Sequence, residues 1–207
     1  MSDMLIDNSI VNFTDALASK APVPGGGGAS ALAGALGIAL CNMAGSISAN
    51  EKRPALYALN EKADTLRKKL LKLIDEDAKN FGPLSAAYSK PKSDSDYAEI
   101  MREATLTACK SPMEIMRCCC EAIELLEETK EICSKLLLSD VACGASICKS
   151  ALESASFNVF VNTKTLSSSD AEPINREADA MLSEYMPRAQ KISDDVLNIL
   201  RGCDNNG

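Results

Sequence analysis

Apolar residues recur along this chain at steps of three and four, and almost nowhere at steps of two, so the pattern predicts helices rather than strands. The clearest case is the stretch 54–88, where Leu59, Ala63, Leu66, Leu70, Leu73, Phe81 and Leu84 form one stripe. The same spacing predicts helices over 9–20, about 94–110, 111–138, 139–166 and 170–201. The breaks between them have chemical causes. Pro54 suits a first helical turn, and Ser111-Pro112 with Glu114 at the capping-box position reads as a helix restart. Ser139 can cap the next helix, Gly202 can stop the last, and the polar stretch 89–96 is a loop. The expectation is an all-α, single-domain helical bundle spanning residues 1–207.

The run 21–50 contains no charged residue, and its helical part, 29–50, is rich in Ala, Gly and Ser. On a helix, Ser30, Gly34, Gly37, Cys41, Ala44 and Ser48 form a face of small side chains, while Leu32, Leu36, Met43 and Ile47 form a bulky one. Such a helix is long enough to raise the possibility of a membrane span. Its weak apolarity, the internal Asn42 and the lack of flanking aromatics favour a helix buried in the bundle, whose small face admits a neighbouring backbone.

Composition narrows the chemistry. Of 207 residues, 22 are Lys or Arg and 29 are Asp or Glu, giving a net charge of −7, which disfavours a nucleic-acid partner. Histidine is absent, so imidazole-based triads and His-ligated metals are excluded, and proton transfer must use carboxylates, Lys, Tyr, Cys or water. Nine cysteines with no C-x-x-C spacing read as free thiols in a reducing, cytoplasmic compartment. The charge is uneven. Residues 51–92 carry a local excess of positive charge, either a solvated lysine face or an attraction for an anionic ligand tail.

A few residues break the pattern. Asp77 occupies the apolar stripe of 54–88, and a carboxylate there needs a cationic partner, hydrogen bonds or a raised pKa. Either a structural ion pair or an acid-base role satisfies that need. In 139–166, Asp140, Asn158 and Asn162 share roughly one face. Asp140 suits the positive end of a helix, while two amides at i and i+4 suit either an interhelical network or a planar, heteroatom-rich ligand. Gly25, Gly26, Gly27 and Gly28 precede the Ala/Gly helix without the Lys-Ser/Thr of a phosphate loop, so a tight turn with close packing is the simpler reading. Lys52 and Arg53, beyond the far end of that helix, can pair with a carboxylate or a substrate.

Three motifs in order, Pro22-x-Pro24-Gly25-Gly26-Gly27 opening the Ala/Gly helix, Asp75-Glu76-Asp77-Ala78 followed by Phe81, and Ser139-Asp140 followed by Asn158-Val159-x-x-Asn162, resemble the cyclodeaminase family. That family comprises the C-terminal domain of formiminotransferase-cyclodeaminase and stand-alone methenyltetrahydrofolate cyclohydrolases. The resemblance implies an all-helical homodimer with a folate site near the subunit interface, and carries Gly25 to Gly28, Lys52, Asp77, Asp140, Asn158 and Asn162 over as site candidates. A fourth glycine before Ala29 and the cysteine load depart from the pattern. The implied enzyme acts at the N5,N10 one-carbon bridge of tetrahydrofolate. It either hydrolyses 5,10-methenyltetrahydrofolate to 10-formyltetrahydrofolate or cyclises 5-formiminotetrahydrofolate with release of ammonia. Asp77 is the expected electrostatic stabiliser and base, Lys52 its tuning or proton-donating partner, and Asp140 and the two amides orient the ring or water. No metal and no cofactor are expected. The basic stretch around 62–72 would attract the polyglutamate tail. A non-catalytic helical scaffold or regulatory subunit, and a membrane-associated protein anchored by 29–47, are the rival readings.

Overall fold

The computed structural model describes residues 4–202, and among these the regular structure is helical throughout. After a short 3-10 turn at Leu5–Asp7 come six α-helices: α1 (Ile10–Leu17), α2 (Gly26–Ser48), α3 (Ala55–Ala87), α4 (Tyr97–Ile132), α5 (Leu138–Thr163) and α6 (Ser168–Leu200). A second 3-10 turn, Lys135–Leu137, leads into α5.

The five long helices run up and down. Asn42 donates to the Asn60 carbonyl at 2.9 Å and Gly28 packs on Ile74, so α2 and α3 are antiparallel. Asn80 donates to Ser111 at 2.7 Å near the middle of the next antiparallel pair, α3 and α4. Helix α6 runs parallel to α4 and is tied to it by Arg102–Asp170, Arg117–Glu177, Arg188–Glu127 and Lys130–Asp195. Helix α2 packs between α3 and α5, with α4 behind it.

The small face of α2 explains that position. Ser30, Gly34, Gly37, Cys41, Ala44 and Ser48 are all buried. A Cβ added at Gly144 of α5 would lie 2.8 Å from the Gly37 carbonyl oxygen, so the two backbones touch where neither residue has a side chain. Cys41, Cys119 and Cys148 fill the remaining gaps along the same seam, and burial pushes the Cys41 thiol up to about 11. The eight cysteines within the described residues are free thiols, and Cys203 lies outside them.

Several expected boundaries are corrected. The helices expected over 94–110 and 111–138 are one helix, α4, with Pro112 inside it. A single proline deletes one hydrogen bond and bends the helix, whereas Cys109, Met113, Ile115 and Met116 on both sides of it are buried and hold the helix in register. Glu114 therefore caps nothing; it pairs with Lys69 and Arg117. Ser139 is not a cap either, because the preceding 3-10 turn starts α5 at Leu138. Gly202 does end α6, with φ at 68°. Helix α2 starts at Gly26 rather than 29, and it is not buried all round: Leu36, Met43 and Ile47 face outward, because the seam with α3 and α5 admits only the small face. By length and composition α2 could cross a membrane, and half of its most apolar window is buried inside the bundle.

Candidate active site

The first turn of α2 and the loop before it meet α3, α4 and α5 around a cleft of about 210 Å³. Pro22, Val23, Gly25, Gly26 and Gly27 supply one wall, Asp77 and Phe81 of α3 the second, Ala108 and Pro112 of α4 the third, and Asn158, Val161 and Asn162 of α5 the fourth. Asp77 and Phe81 are one turn apart on the stripe that faces the bundle, which aims the carboxylate at the first turn of α2. The approach is close. A Cβ on Gly27 would collide with the Asp77 carboxyl, and one on Gly26 would lie 2.9 Å from the Asn158 amide oxygen. The glycine run thus gives a carboxylate and an amide access to the exposed N–H groups of a helix start.

Asp77 has no ion pair among the described residues. Burial raises its pKa from 3.8 to about 6, and a hydrogen bond from the Gly28 backbone N–H works against that rise. The positive end of α2 favours the anion, but desolvation is the larger effect. The result is a half-buried carboxyl poised to gain or lose a proton near neutral pH, which is the property of an acid-base group. Its neighbours in the sequence do other work: Asp75 accepts the Leu5 N–H at 2.6 Å and the Ile6 N–H at 3.3 Å, docking the N-terminal turn on α3.

Asn158 donates to the Ser154 carbonyl of its own helix at 2.9 Å, which fixes its rotamer and leaves its oxygen towards Gly26. Asn162, one turn on, makes no side-chain hydrogen bond to the described residues and lines the cleft with its amide free. Phe81 contributes a ring. Pro112, inside α4, carries no N–H for the Ala108 carbonyl, and both residues line the cleft.

Of the expected residues, the structure brings together Asp77, Gly25, Gly26, Gly27, Asn158 and Asn162. Gly28 lies just behind, buried against Pro24 and Ile74. Lys52 and Asp140 are elsewhere. Ser48 accepts the Ser134 N–H at 2.8 Å, which places the end of α2 beside the start of α5. Both residues belong to that end, which the length of α2 separates from Asp77 by about 30 Å. Sequence reasoning missed Ala108 and Pro112; Ser111-Pro112 was available as a signal but reads equally well as a helix start. Among the described residues no three metal-ligating side chains converge.

The sequence profile described as formiminotransferase-cyclodeaminase matches residues 9–180. The methenyltetrahydrofolate cyclohydrolase of Methylorubrum extorquens is 33% identical over 92% of this chain and 96% of its own. The mouse formimidoyltransferase-cyclodeaminase is 24% identical over 78% of this chain, which spans 32% of that longer protein. The crystal structure of the Thermotoga maritima formiminotetrahydrofolate cyclodeaminase superposes with a TM-score of 0.80 and 25% identity, covering 95% of this chain and 98% of the other. With most of its length matched by that profile and one helical architecture shared nearly end to end, the chain belongs to the formiminotransferase-cyclodeaminase family.

Proposed function

We propose that the protein is a one-carbon folate enzyme acting at the N5,N10 bridge of tetrahydrofolate, with hydrolysis of the 5,10-methenyl compound as its main reaction. The observation that carries this reading is Asp77, an unpaired carboxyl half-buried in a cleft and titrating near neutral pH. The methenyl bridge is a cationic amidinium, so the ionised carboxylate stabilises it by charge and accepts a proton from the attacking water. Oxygen bonds to the bridge carbon, giving a tetrahedral carbinol. The C–N5 bond then breaks while N5 takes the proton back from Asp77, and the hydroxyl proton leaves to solvent as the formyl group forms on N10.

In the deaminating reaction the same site has N10 attack the formimino carbon while the N10 proton passes to the imino nitrogen; that nitrogen then takes a second proton from the Asp77 carboxyl, and the C–N bond breaks to release ammonia and leave the methenyl cation. The similarity at 33% identity to a protein named as a cyclohydrolase, of nearly the same length, favours hydrolysis over deamination. Asn158 and Asn162 offer amides to the ring heteroatoms, Phe81 a face for stacking, and the Ala108 carbonyl an acceptor for a ring N–H. The reading includes a homodimer in the cytoplasm, no metal, no cofactor, no nucleic acid and no membrane, with a polyglutamylated substrate whose tail is drawn by exposed lysines such as Lys72.

Following the methenyl absorbance with purified protein, and assaying ammonia with the formimino substrate, tests the reading directly. Asp77→Asn is expected to lower turnover at least a hundredfold with unchanged helical circular dichroism. Turnover like that of the parent protein in this variant removes Asp77 from the chemistry.

A further inference from the structure

We infer that the groove running over α4 between α3 and α6 is a second ligand site, and that it takes a neutral nucleoside whose base carries an N–H beside a C=O, as inosine and uridine do. The inference goes beyond the folate reading and does not rest on it.

The groove encloses about 480 Å³, more than twice the 210 Å³ of the Asp77 cleft and within the ~300–1,000 Å³ of small-molecule sites. It opens on the other side of the seam between α3 and α4. Asp77 and Phe81 of α3 face the cleft, whereas their neighbours Glu76 and Asn80 face the groove. On α4, Ala108 and Pro112 face the cleft, whereas Cys109 and Ser111 face the groove. One residue turns a helix by about 100°, so the same two helices wall two separate spaces. Helix α6 closes the far side with Ile174 and Glu177.

The polar groups at the bottom of the groove select the ligand. Asn80 Nδ2 donates to Ser111 Oγ at 2.7 Å. Ser111 is 1% exposed, and its hydroxyl proton has no acceptor among the described residues. Asn80 Oδ1 in turn accepts no hydrogen bond from them. A buried hydroxyl that donates to nothing is unfavourable unless something else accepts from it. One donor and one acceptor, tied together by their own hydrogen bond, thus stand side by side on the groove. Their complement is a lactam edge: the Ser111 hydroxyl donates to the ring carbonyl, and Asn80 Oδ1 accepts the adjacent ring N–H.

The surroundings fix the rest of the molecule. Leu73 and Met113, both buried, and the half-buried Leu106 and Ile174 give an apolar surface for the faces of a ring. The charges cancel. Glu114 pairs with Lys69 and Arg117, and Glu177 pairs with Arg117. What remains is one exposed acid, Glu76, and one exposed base, Lys110, neither of them ion-paired. No cluster of unspent cations awaits a phosphate, so the ligand is neutral, and a carboxylate and an ammonium on the rim suit the hydroxyls of a sugar. A base alone fills only part of the volume; a nucleoside fills more of it.

Calorimetric titration with inosine and with uridine tests the site without reference to any reaction. One nucleoside is expected to bind per chain with a Kd below about 1 mM. 1-Methylinosine, whose ring N–H is blocked, is expected to bind at least tenfold more weakly than inosine. Asn80→Leu removes the acceptor, and Ile174→Trp fills the groove while leaving the Asn80–Ser111 pair in place. Each is expected to weaken inosine binding at least tenfold with the helical circular dichroism of the parent protein, whereas Asp77→Asn, across the seam, should bind inosine as the parent does. Folic acid carries the same edge on an anionic molecule and is expected not to displace inosine. The inference is overturned if neither nucleoside binds at about 5 mM, if 1-methylinosine binds as tightly as inosine, if Ile174→Trp keeps the parental affinity, or if folic acid displaces inosine. Loss of inosine binding in Asp77→Asn assigns the nucleoside to the cleft and overturns it as well.

Discussion

Asp77 costs stability at neutral pH, and the proposed reaction is what gives its carboxyl a use. Its pKa is raised from 3.8 to about 6, so the folded protein binds this proton more tightly than the unfolded chain does. The associated stabilisation is complete below about pH 4 and is lost as pH rises through 6, amounting to about 3 kcal/mol by neutral pH. Asp77→Asn should therefore melt at a higher temperature than the parent protein at pH 7.5 and at nearly the same temperature at pH 4, as read by calorimetry. The rate should behave in the opposite sense: turnover rises with pH through about 6 as the base ionises, and that limb is absent from the residual activity of Asp77→Asn. Asp77 was legible in the sequence because a carboxylate in an apolar stripe stands out from its neighbours, although a structural ion pair accounts for that position as readily as an acid-base role. Its lack of a partner was not, since periodicity gives the face a residue occupies but not what stands opposite. The same limit hid Ala108, whose proposed contribution is a backbone oxygen and leaves no mark in the residue type.

At the level of helices, two features carry consequences. The Gly37–Gly144 contact fixes how closely α2 and α5 approach, and a Cβ at Gly144 would also lie 2.9 Å from Leu126. Gly144→Ala must separate the helices or tilt them, at a cost of about 2 kcal/mol and a melting temperature lower by roughly 4–8 °C. A change below 1 °C would mean the seam is slack. Pro112 is the second. Pro112→Ala returns an N–H to the Ala108 carbonyl and withdraws that acceptor from the cleft; KM is expected to rise several-fold with kcat within twofold, and an unchanged KM would confine the bend to a packing role. Helix existence was legible from spacing throughout. The α4 continuity was not, because Ser-Pro-x-Glu carries the same local signal whether it starts a helix or bends one, and burial on both sides decides.

Over the whole molecule, what the sequence hides is which end of the bundle a residue occupies. Lys52 and Asp140 lie at one end of the chain's own fold and Asp77 at the other, a separation set by the 23 residues of α2 and invisible to motif order. The arrangement of α2 also bears on how the chain is made. Its small face is covered in part by α5, whose last residues leave the ribosome more than a hundred positions after Ser48. At ~5–20 residues per second that is an interval of about 6–23 s in which a charge-free helix lacks one of its three neighbours. A nascent chain halted after residue 132 should consequently bind holdase chaperones or sediment with aggregates, whereas one halted after 200 should not. That outcome would show synthesis of this protein to draw on protection supplied from outside until its own late helices arrive.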